Sequence, residues 1–323
     1  MEKSTQIKVW PELVNYLPLL TSVSEASSPT KSLFLDFSGC SEVDSCGLTS
    51  ELLKILHFMR KIDPDFTGVS WSIEIEEDDD PIIKRIIQLG FFLPIKDFFQ
   101  PSLFHTANLY DSIANFFIIE DNIKQTSYNI YHLKLVGLND RRKPLRHFTS
   151  HLLDILIPYE SIYSVNTRQF ITIIYELAKN AADHTNGDAY LGLDVYEIGN
   201  ELKIQFLFGD TGVGIKNNIQ SHLENEKPER KDYFSLVEAY YLACQKYFTS
   251  KPKTGRNLGV GMSTAIESSR LIGGTLSVFD ANSRGVLSNL IGISHSEIRK
   301  NFYPASPRYS PFCYYGTIKA KKK

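Results

Sequence analysis

Cysteine is scarce in this chain. Its 323 residues include four, Cys40, Cys46, Cys244 and Cys313, with neither C-x-x-C nor histidine spacing between them. That scatter argues against a zinc site and a disulfide framework, and fits reduced thiols in a cytoplasm. Long hydrophobic runs are missing as well. No uninterrupted apolar stretch approaches the ~18–20 residues that span a bilayer, and the start M-E-K-S-T-Q-I-K-V-W lacks the apolar region of a signal peptide. The chain is expected to be soluble and cytoplasmic, with no membrane partner. An excess of one charge is also absent: Lys and Arg total 35 against 37 Asp and Glu, a net charge of -2. Nothing therefore points to nucleic acid. Lys319, Lys321, Lys322 and Lys323 make a basic cluster so short that it reads as a solvated strand end. No internal repeat is visible.

What is present first suggests two domains, at roughly 100–200 residues each. Residues 1–100 read as one α/β unit. S-L-F-L-D-F at Ser32–Phe37 is a buried strand leading through a polar loop into an apolar helix from about Leu48 to Lys61. W-S-I-E-I at Trp71–Ile75 is a second strand; Pro81 opens a helix with Ile82, Ile83, Ile86, Ile87 and Leu89 on one face, and Gly90 ends it. Residues 101–127 lack a clean period and are expected to connect. Residues 128–323 then form the second domain. Strands are expected at Tyr128–Val136, Tyr190–Tyr196, Leu202–Phe208, Thr275–Phe279, Val286–Ile293 and Tyr315–Lys319, and helices at Leu145–Leu156, Asn166–His184 and Leu258–Leu271. Gly199–Asn200 marks a hairpin and hence an antiparallel sheet. Residues 216–256 are a polar excursion with one helical stretch, Tyr233–Phe248, and such excursions commonly act as lids.

Three motifs in the second domain carry chemistry. The first is E-L-A-K-N-A-A-D-H-T at Glu176–Thr185. At about 100° per residue, Glu176, Asn180 and Asp183 share a stripe opposite Phe170, Ile174, Leu177 and Ala181. Alone, such a stripe is also what any solvated helix face looks like. The second is D-T-G-V-G-I at Asp210–Ile215, directly after a strand. Gly212 and Gly214 permit close backbone approach to a flat ligand or a phosphate, and the Asp210 carboxylate can accept a hydrogen bond from the exocyclic amine of adenine. A dinucleotide fingerprint is excluded because Asn217 stands where a glycine is needed and because the strand runs into a lid rather than a helix. A P-loop is excluded because Ile215, not lysine, follows Gly214. The third is G-R-N-L-G-V-G-M at Gly255–Met262. Backbone amides exposed by Gly259 and Gly261 at a helix N-terminus suit β- and γ-phosphates.

Roles follow from residue type. Asn180 can supply a neutral oxygen to Mg²⁺, which also takes phosphate oxygens and water. Glu176 can deprotonate or orient a water or a hydroxyl in line with the γ-phosphate. Asp183 can hold the adenine-side water network or the metal shell. His184 either touches phosphate or caps the helix. Lys251, Lys253 and Arg256 add charge as a lid closes or remain solvated, with Arg256 the preferred contact.

The order of these motifs resembles the GHKL superfamily, which includes type II topoisomerase gyrase subunits, heat-shock chaperone ATPases, sensor histidine kinases and MutL. The resemblance covers about Tyr128 to Lys323. It implies a Bergerat fold, an α/β sandwich on a mixed, largely antiparallel sheet, with ATP and Mg²⁺ as cofactors. It implies roles for Asn180 in holding Mg²⁺, for Glu176 as general base and for Asp210 and Gly212 at adenine, with Asp183, Gly214, Ile215, Arg256, Leu258, Gly259, Val260, Gly261 and Met262 lining the nucleotide. Gly316-Thr317 resembles the family's closing G-T pair, whose threonine supports the adenine pocket.

Asp183 resembles the gyrase and MutL branch, which favours hydrolysis, and no H-E-x-x-x-P-like phosphoacceptor motif precedes the domain. In the first domain, L-D-F-S-G at Leu35–Gly39 and V-D-S-C-G-L at Val43–Leu48 resemble the STAS fold of anti-sigma-factor antagonists. Cys46 stands where that family's loop has its phosphoacceptor serine, leaving Ser45 as a substitute, while D-S-C-G reads equally as a helix N-cap. The expected function is a slowly hydrolysing Mg-ATP switch whose lid controls contacts with a regulatory protein partner. The alternative is a serine/threonine protein kinase of the anti-sigma-factor type. The gyrase-like branch also implies a homodimer, although no N-terminal arm in this chain obviously performs a swap.

Overall fold

The computed structural model describes residues 5–8, 20–22, 31–36, 43–62, 69–74, 81–92, 94, 129–135, 142–184, 187–212, 214–226, 236–244, 261–281, 283–287, 302–304 and 310–323. The chain divides into two compact units. One comprises Met1–His132, Leu191–Asp194 and Ser306–Pro311; the other comprises Leu133–Tyr190, Val195–Ala305 and Phe312–Lys323. The expected connector, 101–127, lies outside the described residues.

In the first unit, β1 (Thr5–Lys8), β2 (Leu20–Ser22), β3 (Lys31–Asp36) and β4 (Val69–Glu74) form a sheet of order β2-β1-β3-β4. β3 and β4 run parallel with Leu33 opposite Trp71. Parallel neighbours need a crossover, and α1 (Ser45–Ile62) provides it. β3 and β4 are the two expected strands of this domain. β1 and β2 are too short to show alternation and were not legible. α2 (Pro81–Gln88) starts at its proline, where the missing N–H would be unpaired anyway. It stops before Gly90, whose φ of 84° no helix continues. Phe91 and Phe92 then turn inward, fully buried and edge-to-face at 5.2 Å.

The start of α1 explains an offset. The apolar pattern begins at Leu48, but the helix begins at Ser45, because Asp44 caps it: Gly47 N–H donates to Asp44 Oδ1 at 2.6 Å. Within the same unit, buried Asp194 accepts the Ser45 amide at 3.0 Å, the Cys46 amide at 3.2 Å and the Ser45 hydroxyl at 2.7 Å. A carboxylate at a helix N-terminus meets both the free amides and the positive end of the dipole.

The second sheet has seven strands, β5 (Ile130–Leu133), β6 (Ala189–Ile198), β7 (Glu201–Asp210), β8 (Thr275–Ala281), β9 (Ser283–Val286), β10 (Phe302–Pro304) and β11 (Ser310–Lys321), in the order β10-β9-β8-β11-β7-β6-β5. The pairs β9–β10, β8–β9 and β7–β11 are antiparallel, and Gly199–Asn200 turns β6 into β7 as expected. The protein is thus α/β with an antiparallel second sheet. Of the strand expected at Val286–Ile293, Val286 ends β9, and residues 288–293 lie outside the described residues.

Three helices matter for the site. α3 (Arg142–Glu160) and α7 (Gly261–Leu271) both pack against α4 (Thr167–His184). Asn166 caps α4 through Gln169 N–H at 3.1 Å. Phe170, Ile174, Leu177 and Ala181, the apolar face expected for α4, are all buried. Phe170 meets Phe206 of β7 edge-to-face at 5.5 Å and 82°. Each such side chain contributes about 1.5–3 kcal/mol by leaving water. This contact fixes which sheet face looks at α4: Phe206, Phe208 and Asp210 alternate onto it. Among the described residues, the excursion after β7 holds two helices where one was expected, α5 (Gly214–Glu226) and α6 (Leu236–Cys244).

Candidate functional site

Two residues of the polar stripe of α4, Glu176 and Asn180, face the start of α7. Apolar residues on one side of α4 are consumed by the core, so Glu176, Asn180 and Asp183 are left half-buried on the other. A methyl group built on Gly261, the first residue of α7, would lie 2.8 Å from Glu176 Oε2 and 3.3 Å from Asn180 Oδ1. Glycine at 261 is therefore what lets the helix start approach these two oxygens. Met262 behind it is buried and anchors α7.

Glu176 is the anomalous group. Its Oε2 is buried without a hydrogen-bond partner, and the Lys179 ammonium stands off at 3.9 Å. Desolvation pushes the carboxyl above its ordinary value of 4.5; the charge of Lys179 opposes this and that of Asp183 adds to it. An unpartnered buried carboxylate oxygen beside a helix N-terminus is a cost that a ligand can relieve.

The second motif is held by a turn and by a neighbouring loop. Buried Asp210 ends β7, and its Oδ1 accepts the Gly212 amide at 2.8 Å. Thr211 N–H donates to the Asp188 carbonyl at 3.0 Å, while the Thr211 hydroxyl accepts the Asp188 amide at 3.1 Å. Gly214 adopts φ 80° and opens α5. Ile215 follows it, half-buried, and Asn218 Nδ2 donates to the His184 carbonyl at 2.8 Å, tying α5 to the C-terminal end of α4. Asp188 and Asn218 were missed by sequence reasoning. Neither lies in a motif, and only the fold brings them to the second glycine segment.

Two expectations need correction. A strand does run into a helix at Gly214, so that argument against a dinucleotide fingerprint fails; the exclusion now rests on exposed Asn217 and on the antiparallel β7–β11 pair, where that fingerprint needs a parallel βαβ unit. Thr317 is not brought to Asp210. It pairs with Gln205, five residues earlier on β7 and so about 17 Å away on the opposite sheet face; its hydroxyl meets that of Thr275 at 2.8 Å. Gly316 does serve the α4 face: any side chain there would run into the Phe206 ring, 2.2 Å from the added carbon. Arg256, Leu258, Gly259 and Val260, with Lys251 and Lys253, lie outside the described residues.

For Mg²⁺ the relevant groups are oxygens. Among the described residues no three His, Cys, Asp or Glu side chains gather into a metal-binding group, so a cation here would depend on Asn180 and ligand phosphate. The Asn180 side-chain oxygen, beside the narrow gap above Gly261, fits that requirement. The three described cysteines, Cys46, Cys244 and Cys313, are buried and form no disulfide. No described helix is long and apolar enough to cross a membrane.

No protein-family model matches the chain, and the comparison with curated proteins finds no similar sequence.

Proposed function

We propose that the chain is a GHKL-type regulatory switch that binds Mg-ATP and hydrolyses it slowly, its second domain a Bergerat fold and its first a STAS-like unit. The observation that carries the reading is the approach of Gly261, at the start of α7, to the orphaned Glu176 oxygen and to Asn180. Three motifs far apart in sequence supply an acid, an amide, a helix N-terminus and, from β7, a carboxylate on the α4 face. Asp210 recognises the adenine amine through its carboxylate. The amides opening α7 take phosphate. Asn180 holds Mg²⁺, which when bound offsets phosphate charge. Glu176 accepts a proton from the attacking water, and its raised pKa brings it closer to neutral pH, where a general base works best. Ordering of the lid over the γ-phosphate then alters contacts with a regulatory protein.

Hydrolysis is preferred over kinase action on Ser45. That residue is buried, and its hydroxyl is engaged by Asp194. The destination of the label from γ-labelled ATP separates the two. Hydrolysis yields free phosphate that Glu176→Gln abolishes, whereas acid-stable label on this chain or on an added STAS-type protein would establish the kinase instead.

A further inference from the structure

Resting on the assignment of Asp210 to adenine, we infer that Gly187–Asp188 is a positioning element that sets the base specificity of the pocket. Asp188 is bonded on both sides. Its Oδ1 accepts the Leu135 amide at 2.7 Å, just beyond β5, and its own amide and carbonyl engage the hydroxyl and amide of Thr211. Gly187 is pressed against the same loop. A side-chain carbon there would lie 2.6 Å from the Thr211 carbonyl carbon, 2.6 Å from Thr211 Oγ1 and 2.7 Å from the Gly212 amide. No real side chain tolerates such distances, so this residue must be glycine for the loop to keep its place.

The consequence reaches Asp210 through one bond. Gly212 N–H holds Asp210 Oδ1 at 2.8 Å, and that bond orients the carboxylate plane and thus the other oxygen. Asp188 and Gly187 hold Thr211 and Gly212; Gly212 holds Asp210. A carboxylate fixed in this way accepts from an exocyclic amine and repels the carbonyl oxygen that guanine presents at the same place. One that can rotate discriminates less. Asp188 touches neither base nor phosphate in this scheme, and its effect is on selectivity.

The test is displacement of a fluorescent ribose-labelled ATP from the full chain by ATP and by GTP, with Tm recorded for each variant. Thr211→Val removes the acceptor of the Asp188 amide at nearly constant shape, and Thr211→Ser retains it. Thr211→Val and Asp188→Ala are expected to lower the preference for ATP over GTP about tenfold, and Thr211→Ser and Asp188→Asn to keep it. A purely structural role would lower Tm and weaken both nucleotides equally, which overturns the inference. So does an unchanged preference in Thr211→Val while Asp210→Asn abolishes it. If Asp210→Asn itself leaves ATP affinity and preference intact, the adenine assignment fails and this inference with it.

Discussion

Glu176 keeps one carboxylate oxygen buried and without a hydrogen bond, and the pH dependence of stability should report it. Because its pKa in the folded chain lies above the ordinary 4.5, the folded state retains a proton that the unfolded state has lost. Its contribution to stability therefore falls as pH rises from 4.5 through the raised value. Glu176→Gln removes that loss. Its Tm at pH 7 is expected to equal or exceed that of the unaltered chain, while ATP hydrolysis falls about 10²–10⁴-fold. Calorimetry giving a lower Tm for this variant at neutral pH would mean that the carboxylate serves the fold. Gly316 gives the opposite kind of residue effect. Gly316→Ala drives a methyl into the Phe206 ring and should cost about 1–3 kcal/mol in urea unfolding; Phe206→Leu in the same chain should return part of it.

At the scale of elements, α1 and α7 carry the separable predictions. In α1, Glu51 and Lys54 form an ion pair with almost no exposure, and Glu51 Oε2 has no hydrogen-bond partner. Burial pushes the Glu51 carboxyl up, against the lowering effect of Lys54. Lys54→Met alone should cost about 3–5 kcal/mol, because it strands the carboxylate, whereas adding Glu51→Leu should recover much of that loss. A double-mutant cycle showing simple additivity would contradict this. In α7, Gly261→Ala raises helix propensity but fills the gap in front of Glu176 and Asn180; nucleotide affinity should drop about tenfold with little change in Tm, as titration calorimetry would read. Periodicity exposed α4 and α7 because each buries one face, and alternation exposed β6 and β7 because they are long. It could not show β1, β2 and β10, which are too short to alternate, or that the described part of the excursion after β7 includes the helix α5. The stripe of Glu176, Asn180 and Asp183 was legible for the same reason as its apolar complement. Asp188 and Asn218 were not, since a loop aspartate and a helical asparagine carry no period, and their partners lie in other elements. Thr317 was misplaced because a G-T pair in sequence says nothing about which sheet face it occupies.

For the molecule as a whole, the proposed site depends on chain segments that only the finished fold unites, so nucleotide and fold should be linked. A ligand that binds only the folded chain stabilises it by about 2.7 kcal/mol at a hundredfold excess over Kd. Mg-ATP should accordingly raise Tm in the unaltered chain, and not in Asp210→Asn. The net charge of -2 adds no long-range attraction for a polyanion, so the proposed affinity for ATP would have to come from local groups on α4, β7 and α7. Direct titration of the full chain with ATP in Mg²⁺, alongside Asp210→Asn, tests this most simply. Saturable one-site binding that Asp210→Asn removes, and that GTP does not reproduce, is the expected result. No heat of binding from a folded chain, or binding that is indifferent to Asp210, would contradict the assignment of this site to ATP.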